Sequence, residues 1–99
     1  MVKLVAIYRK PEDLKAFDEH YFNTHAPLAS KMPGLIRMEV AKVYGGPAGE
    51  SDLHLIAEMY FESREALMEA MKSPEGKAAG KDVMSFAGNI ISMHFAEVV

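Results

Sequence analysis

The two ends of the chain constrain its fold most. Val2 to Tyr8 is a β-rich run with Val2, Leu4, Ala6 and Tyr8 on one side and Val5 and Ile7 on the other. The final run, Asn89 to Val99, sets Ile90, His94, Ala96 and Val98 against Ile91, Met93, Phe95 and Val99. A strand that is apolar on both sides is buried on both sides. The sheet that holds these two strands therefore needs a cover on each face.

The elements between them supply one cover. Pro11 suits the first turn of a helix, where its missing N–H costs nothing, and Glu12 and Asp13 favour the positive end of the helix dipole. Leu14, Phe17, Tyr21, His25 and Leu28 follow at steps of three and four, which places them within about 80° on one helix face. Pro27 cannot bond back to the carbonyl of Asn23 and is expected to break or kink this helix. After the turn at Pro33-Gly34, Leu35 to Tyr44 reads as a second strand and Leu53 to Phe61 as a third, joined through Gly45-Gly46-Pro47-Ala48-Gly49. Ser63 caps a helical stripe of Ala66, Leu67, Ala70 and Met71. Ser73-Pro74-Glu75 restarts the helix, which runs to about Gly88.

The order is β-α-β-β-α-β, the ferredoxin-like split βαβ arrangement of the α+β class. Right-handed crossovers put both helical segments on one face of a four-stranded antiparallel sheet, with strand order 4-1-3-2. The second face then needs another cover. The simplest is the same face of a second copy, which predicts a sheet-on-sheet homodimer; a monomer with a large apolar patch is the other reading.

Composition narrows the function classes. The 99 residues make one domain, residues 1–99. With 49% hydrophobic and 25% charged residues the chain has the globular mix, and no apolar run approaches the ~18 residues of a membrane span. No cysteine is present, which excludes disulfides, thiolate nucleophiles and thiolate metal sites. The N-terminal apolar run is too short for a secretory signal, so a cytoplasmic location is expected. A net charge of −3 argues against nucleic acid as a partner. The glycine-rich connection lacks the Lys-Ser/Thr of a phosphate loop, and neither H-E-x-x-H nor a nucleophile elbow occurs. His20 and His25 are five apart, about 140° around a regular helix, so no shared metal ion is expected.

Phe17-x3-Tyr21-x3-His25-Ala-Pro-Leu, followed by Met32-Pro33-Gly34-Leu35, resembles the N-terminal motif of the EthD family. Phe61-Glu-Ser-Arg-Glu-Ala-Leu-Met-Glu-Ala-Met-Lys-Ser-Pro-Glu-Gly and the segment Asp82-Val-Met-Ser-Phe86 are similar to later parts of that family. The resemblance covers nearly the whole chain. It implies a dimeric α+β barrel, a small hydrophobic and often oxygenated ligand, and no cofactor. It does not imply one reaction. Haem-degrading and antibiotic-type monooxygenases of the same barrel class lean on a tryptophan, which this chain lacks.

His25 is the candidate catalytic residue. It shares a helix face with Phe17 and Tyr21, so it points toward the sheet, and an imidazole can take and return a proton near neutral pH without a metal. A core histidine bonded to a backbone carbonyl at the helix break would show the same pattern. Tyr21, Tyr60 and Phe86 are candidate substrate-binding residues. Tyr21 lies one turn before His25 and can orient a substrate oxygen, Tyr60 shares a strand face with His54, Ile56 and Glu58, and Phe86 follows Asp82 by one turn. Each also has a plain structural reading: aromatic core, interface rim or, for Asp82, a solvated surface. His94 is expected to be a core or interface histidine. The chain reads as a cofactor-independent protein that acts on or binds such a small oxygenated metabolite, by acid–base chemistry of isomerase, cyclase or lyase type or as a catabolic accessory; a non-catalytic ligand-binding or structural partner protein is the alternative.

Overall fold

In the computed structural model, which covers residues 1–99, four strands form one antiparallel sheet. They are β1 (Val2–Arg9), β2 (Arg37–Lys42), β3 (Leu53–Phe61) and β4 (Ile91–Glu97), in the order β2-β3-β1-β4. This is the expected 4-1-3-2 order. The second and last strands pair over shorter spans than their apolar patterns suggest. Five helical segments, α1 (Leu14–His20), a π-helical turn (Tyr21–His25), α2 (Ala26–Ala29), α3 (Arg64–Lys72) and α4 (Pro74–Ala87), form the second layer.

β1 alternates between full and partial burial along its length. Val2, Leu4, Ala6 and Tyr8 are buried under the helices, while Lys3, Val5 and Ile7 face away and remain partly open. The registers β1 to β3 and β3 to β2 place Ile56, Glu58, Tyr60, Arg37 and Glu39 on that same open face. The face is thus more polar than β1 alone suggests. Lys3 pairs with Glu58, and Arg37 lies 4.0 Å from the centre of the Tyr60 ring. Its apolar part is the strip Val5, Ile7 and Ile56. His94 belongs to this face, opposite Val5, and is exposed within a single subunit.

Local signals set the helix boundaries. The first helix begins at Leu14, three residues after Pro11, because Asp13 caps it: its Oδ1 accepts from the Ala16 N–H at 3.0 Å. Leu14 is consequently half exposed instead of facing the core. Ser63 and Ser73 cap α3 and α4 through the N–H groups of Ala66 and Gly76. Gly76 has no alternative residue there, since a Cβ would sit 2.0 Å from the Ala70 carbonyl oxygen. No helix is long and apolar enough to cross a membrane.

Pro27 does not break the first helix. The turn before it widens: the Ala26 N–H bonds to the Tyr21 carbonyl, an i→i+5 link. Widening relieves the clash that a proline ring makes with the carbonyl four residues earlier. It also changes which residues share a face. Phe17, Tyr21, His25 and Ala29 are all buried at a constant spacing of four. In a regular helix that spacing drifts by ~40° a step, and the extra residue in the π turn offsets the drift. Ala29 therefore takes the buried place expected of Leu28, which is only partly covered.

Candidate functional site

The π turn delivers His25 to the interior, where its side chain is 8% exposed. Its Nδ1 lies 3.0 Å from Oδ2 of Asp82, on α4. His20 meets the same carboxylate, with Nε2 at 3.0 Å from Oδ1 and 3.1 Å from Oδ2. This overturns the expectation that two histidines five apart point in different directions. That geometry holds for a regular helix, and the i→i+5 turn brings both rings onto one side. They converge on a carboxylate, and no group of three His, Asp or Glu side chains is arranged to hold a metal ion.

A carboxylate accepts hydrogen bonds, so Nδ1 of His25 carries the proton and donates it to Asp82. Nε2 is left with its lone pair. It has no protein partner, and no unpartnered side-chain nitrogen or oxygen is fully sealed from solvent, so Nε2 keeps some accessible surface. Burial lowers the His25 pKa below its ordinary value of 6.5; the hydrogen bond to Asp82 opposes this, and His20 adds to it. The ring is neutral near pH 7, the state in which Nε2 is a base.

His25 lines a cavity of about 50 Å³ between helices and sheet. It exists because small residues face one another across the layers. Ala6 and Ala57, partners in the β1–β3 register, floor it; Ala29, Ala79 and Gly80 roof it. Met32, Met38, Met59, Met71 and Met93 supply flexible walls. Gly80 and Met93 are exposed, which marks the mouth between α4 and β4.

Tyr21 lines the cavity as the sequence suggests, and its hydroxyl makes no protein hydrogen bond. Tyr8 also lines it, again with an unpartnered hydroxyl, and was not singled out by the sequence. It reads there as one of four alternating core residues of β1. Burial pushes both phenols up, Tyr21 to about 12 and Tyr8 further, with Tyr21 and Asp82 adding to the rise at Tyr8. Both are therefore hydrogen-bond donors at neutral pH.

Phe86 packs against the histidines and does not line the cavity. Its ring lies 4.3 Å from His20, 5.4 Å from His25 and 5.4 Å from Phe17, so it holds the two imidazoles in place. Tyr60 is not part of this site. It lies on the open face of the sheet, where its hydroxyl donates to Glu39 and Lys3 and Arg37 flank its ring. Nor does His54 share that face. The β1–β3 register slips between Tyr8 and Arg9, and this bulge at His54 turns its ring to the helix layer, against Phe17 and 2.8 Å from Asp18. Asp82, for which the sequence offers a solvated surface position, is 14% exposed and central.

An EthD domain matches residues 9–89. The chain belongs to the EthD family. A crystal structure of an EthD (ethyl tert-butyl ether D) family protein from Bacillus halodurans is 54% identical, with a TM-score of 0.98 over 100% of this chain and 99% of that one. An 11.0 kDa protein encoded in the thcB–thcC intergenic region of Rhodococcus erythropolis is 34% identical over 97 residues, 98% of this chain and 94% of that protein. The hydroxynitrile lyase of Passiflora edulis has the same fold at 12% identity, with a TM-score of 0.79 over 99% of this chain and 93% of that one. As an EthD protein, this chain has a ferredoxin-like α+β fold.

Proposed function

We propose that this EthD protein binds a small, hydrophobic, oxygenated metabolite in the cavity beside His25 and moves a proton to or from it with Nε2, without a cofactor. One observation supports this reading: a buried imidazole that lines an apolar cavity, with Nδ1 engaged by Asp82 and Nε2 without a protein partner. A buried histidine with a purely structural role ordinarily pairs its nitrogens with protein or ordered water. The lining favours an uncharged ligand, since no lysine or arginine reaches it. That a hydroxynitrile lyase uses the same fold supports small-molecule chemistry on this scaffold.

The open sheet face supports a homodimer, with the strip Val5, Ile7 and Ile56 covered by the same strip of a second copy. That is the arrangement the barrel resemblance implies.

Nitrogen-15 NMR of the imidazoles tests the ligand site. His25 should show the Nδ1–H tautomer, and adding phenol as a small oxygenated apolar probe should shift Nε2 and leave Nδ1 near its starting position. A protonated Nε2 in the free protein, or no response of Nε2 to phenol at millimolar concentration, would remove the base from the site.

A further inference from the structure

Two polar groups of the cavity are unused by the reading above: the hydroxyls of Tyr8 and Tyr21. Both residues are 1% exposed, neither hydroxyl bonds to the protein, and no unpartnered polar atom is fully sealed off, so the little surface each keeps includes its oxygen. Leaving two phenols unpaired in an apolar interior is unfavourable unless something else pairs with them. The rings are neighbours, with centroids 5.6 Å apart, and Tyr21 lies 5.6 Å from the His25 ring. One small cavity is therefore lined by three residues that carry two unpaired O–H donors and one unpaired nitrogen acceptor, Tyr8, Tyr21 and His25.

This set selects a ligand chemistry. Two donors match the two lone pairs of a single carbonyl oxygen. Such an oxygen carries no proton, so the proton that Nε2 takes must come from elsewhere on the ligand. The nearest acidic position is the carbon beside the carbonyl. An alcohol would offer its one proton to Nε2 and yield an alkoxide with no onward path. A carboxylate or phosphate would meet no cation and would lie near Asp82. We propose that the ligand is an enolisable carbonyl compound, whose oxygen is held by Tyr8 and Tyr21 while His25 Nε2 removes a proton from the adjacent carbon.

The step balances without a co-reactant. The C–H bond breaks and an N–H bond forms at Nε2. The C–H electron pair becomes the C=C bond of the enolate, and the carbonyl π pair moves onto oxygen, where the two phenols hydrogen-bond to it. Asp82 holds the imidazolium that results. Return of the proton to the same or a conjugated carbon completes an exchange or an isomerisation. Donors aimed at an oxygen that gains charge stabilise the transition state more than the ground state. About 50 Å³ corresponds to only ~3–5 water positions, so the carbonyl compound is compact or the methionine walls yield to admit it.

This inference rests on the His25 reading and can fail separately from it. The test is hydrogen–deuterium exchange at the α-carbons of cyclohexanone and ethyl acetoacetate in D2O, followed by proton NMR, against imidazole at matched concentration. The wild-type protein should accelerate exchange of at least one ketone above the imidazole control. Tyr8→Phe and Tyr21→Phe should each lower the rate by ~10²-fold or more, and His25→Ala should bring it to background. Neither phenylalanine change removes a protein hydrogen bond, so unchanged thermal unfolding of both variants confirms that the loss is chemical. Exchange that survives in both tyrosine variants but is lost with His25 overturns the assignment of the oxygen site and leaves His25 as the base. No acceleration of either ketone overturns the ligand class, while the imidazole NMR still decides on Nε2.

Discussion

His25 Nδ1 and Asp82 Oδ2 lie 3.0 Å apart, although the two residues are 57 positions apart in the chain. The contact fixes which nitrogen of His25 carries the proton, and so decides whether the cavity faces a base or a donor. Asp82→Asn tests it. An amide can donate to Nδ1, which would move the ring proton to Nε2 and remove the lone pair from the cavity. Nitrogen-15 NMR should report the tautomer change, and proton exchange catalysed by the protein should fall toward background, in line with the ~10⁴-fold loss where a carboxylate that sets a catalytic tautomer is replaced by an amide.

His25 should also make stability depend on pH. Its folded pKa is depressed below 6.5 by burial, against the pull of the Asp82 carboxylate and with a further push from His20. Below about 6.5 the unfolded chain takes up a proton that folded His25 still refuses, so the unfolded state binds more protons and stability falls with falling pH. The stability is present above 6.5 and is lost below it, down to the folded pKa. Melting curves from about pH 8 to pH 5 should show a shallower acid decline for His25→Gln than for the wild type. Parallel curves would mean that His25 titrates alike in both states.

Two glycines of α4 should respond in opposite ways to alanine. At Gly76 a Cβ would lie 2.0 Å from a backbone oxygen that cannot move cheaply, so Gly76→Ala should cost about 2–3 kcal/mol. At Gly80 nothing lies within 4 Å of the added carbon, and Gly80→Ala should gain about 0.5–1 kcal/mol of helix stability. Because Gly80 also lines the cavity mouth, the same change should slow access of a ligand. Denaturant unfolding and ligand-observed NMR on the two variants read these effects independently.

The open sheet face should hold two copies together. Sedimentation should show a dimer of the wild type at micromolar concentration. Ile7→Lys, at the middle of the strip beside Ile56, should give an 11.0 kDa monomer that retains its helical circular dichroism. A wild-type monomer at that concentration would require another explanation for the partly open Val5, Ile7 and Ile56.

The order of elements follows from the sequence alone, because strand patterning and capping are local signals, and the strand order follows from that order and the handedness of the crossovers. Ser63 and Ser73 announce the starts of α3 and α4 in this way, and the EthD motif around His25 marks the residue that the fold buries. What local signals could not supply were contacts made across the chain. Pro27 announces trouble in the first helix, but whether the helix breaks or widens depends on what the widened turn gains, and that gain is Asp82 on α4. Tyr8 reads as ordinary core until Ala6, Ala57, Ala79 and Gly80 are seen to leave the space beside it empty. Tyr60 and His54 look like neighbours on one strand face until a bulge, set by pairing with β1, separates them. The tertiary structure decides these points because a single extra residue in a turn or strand redirects every side chain near it, and only the partners on the other elements determine where that residue is accommodated.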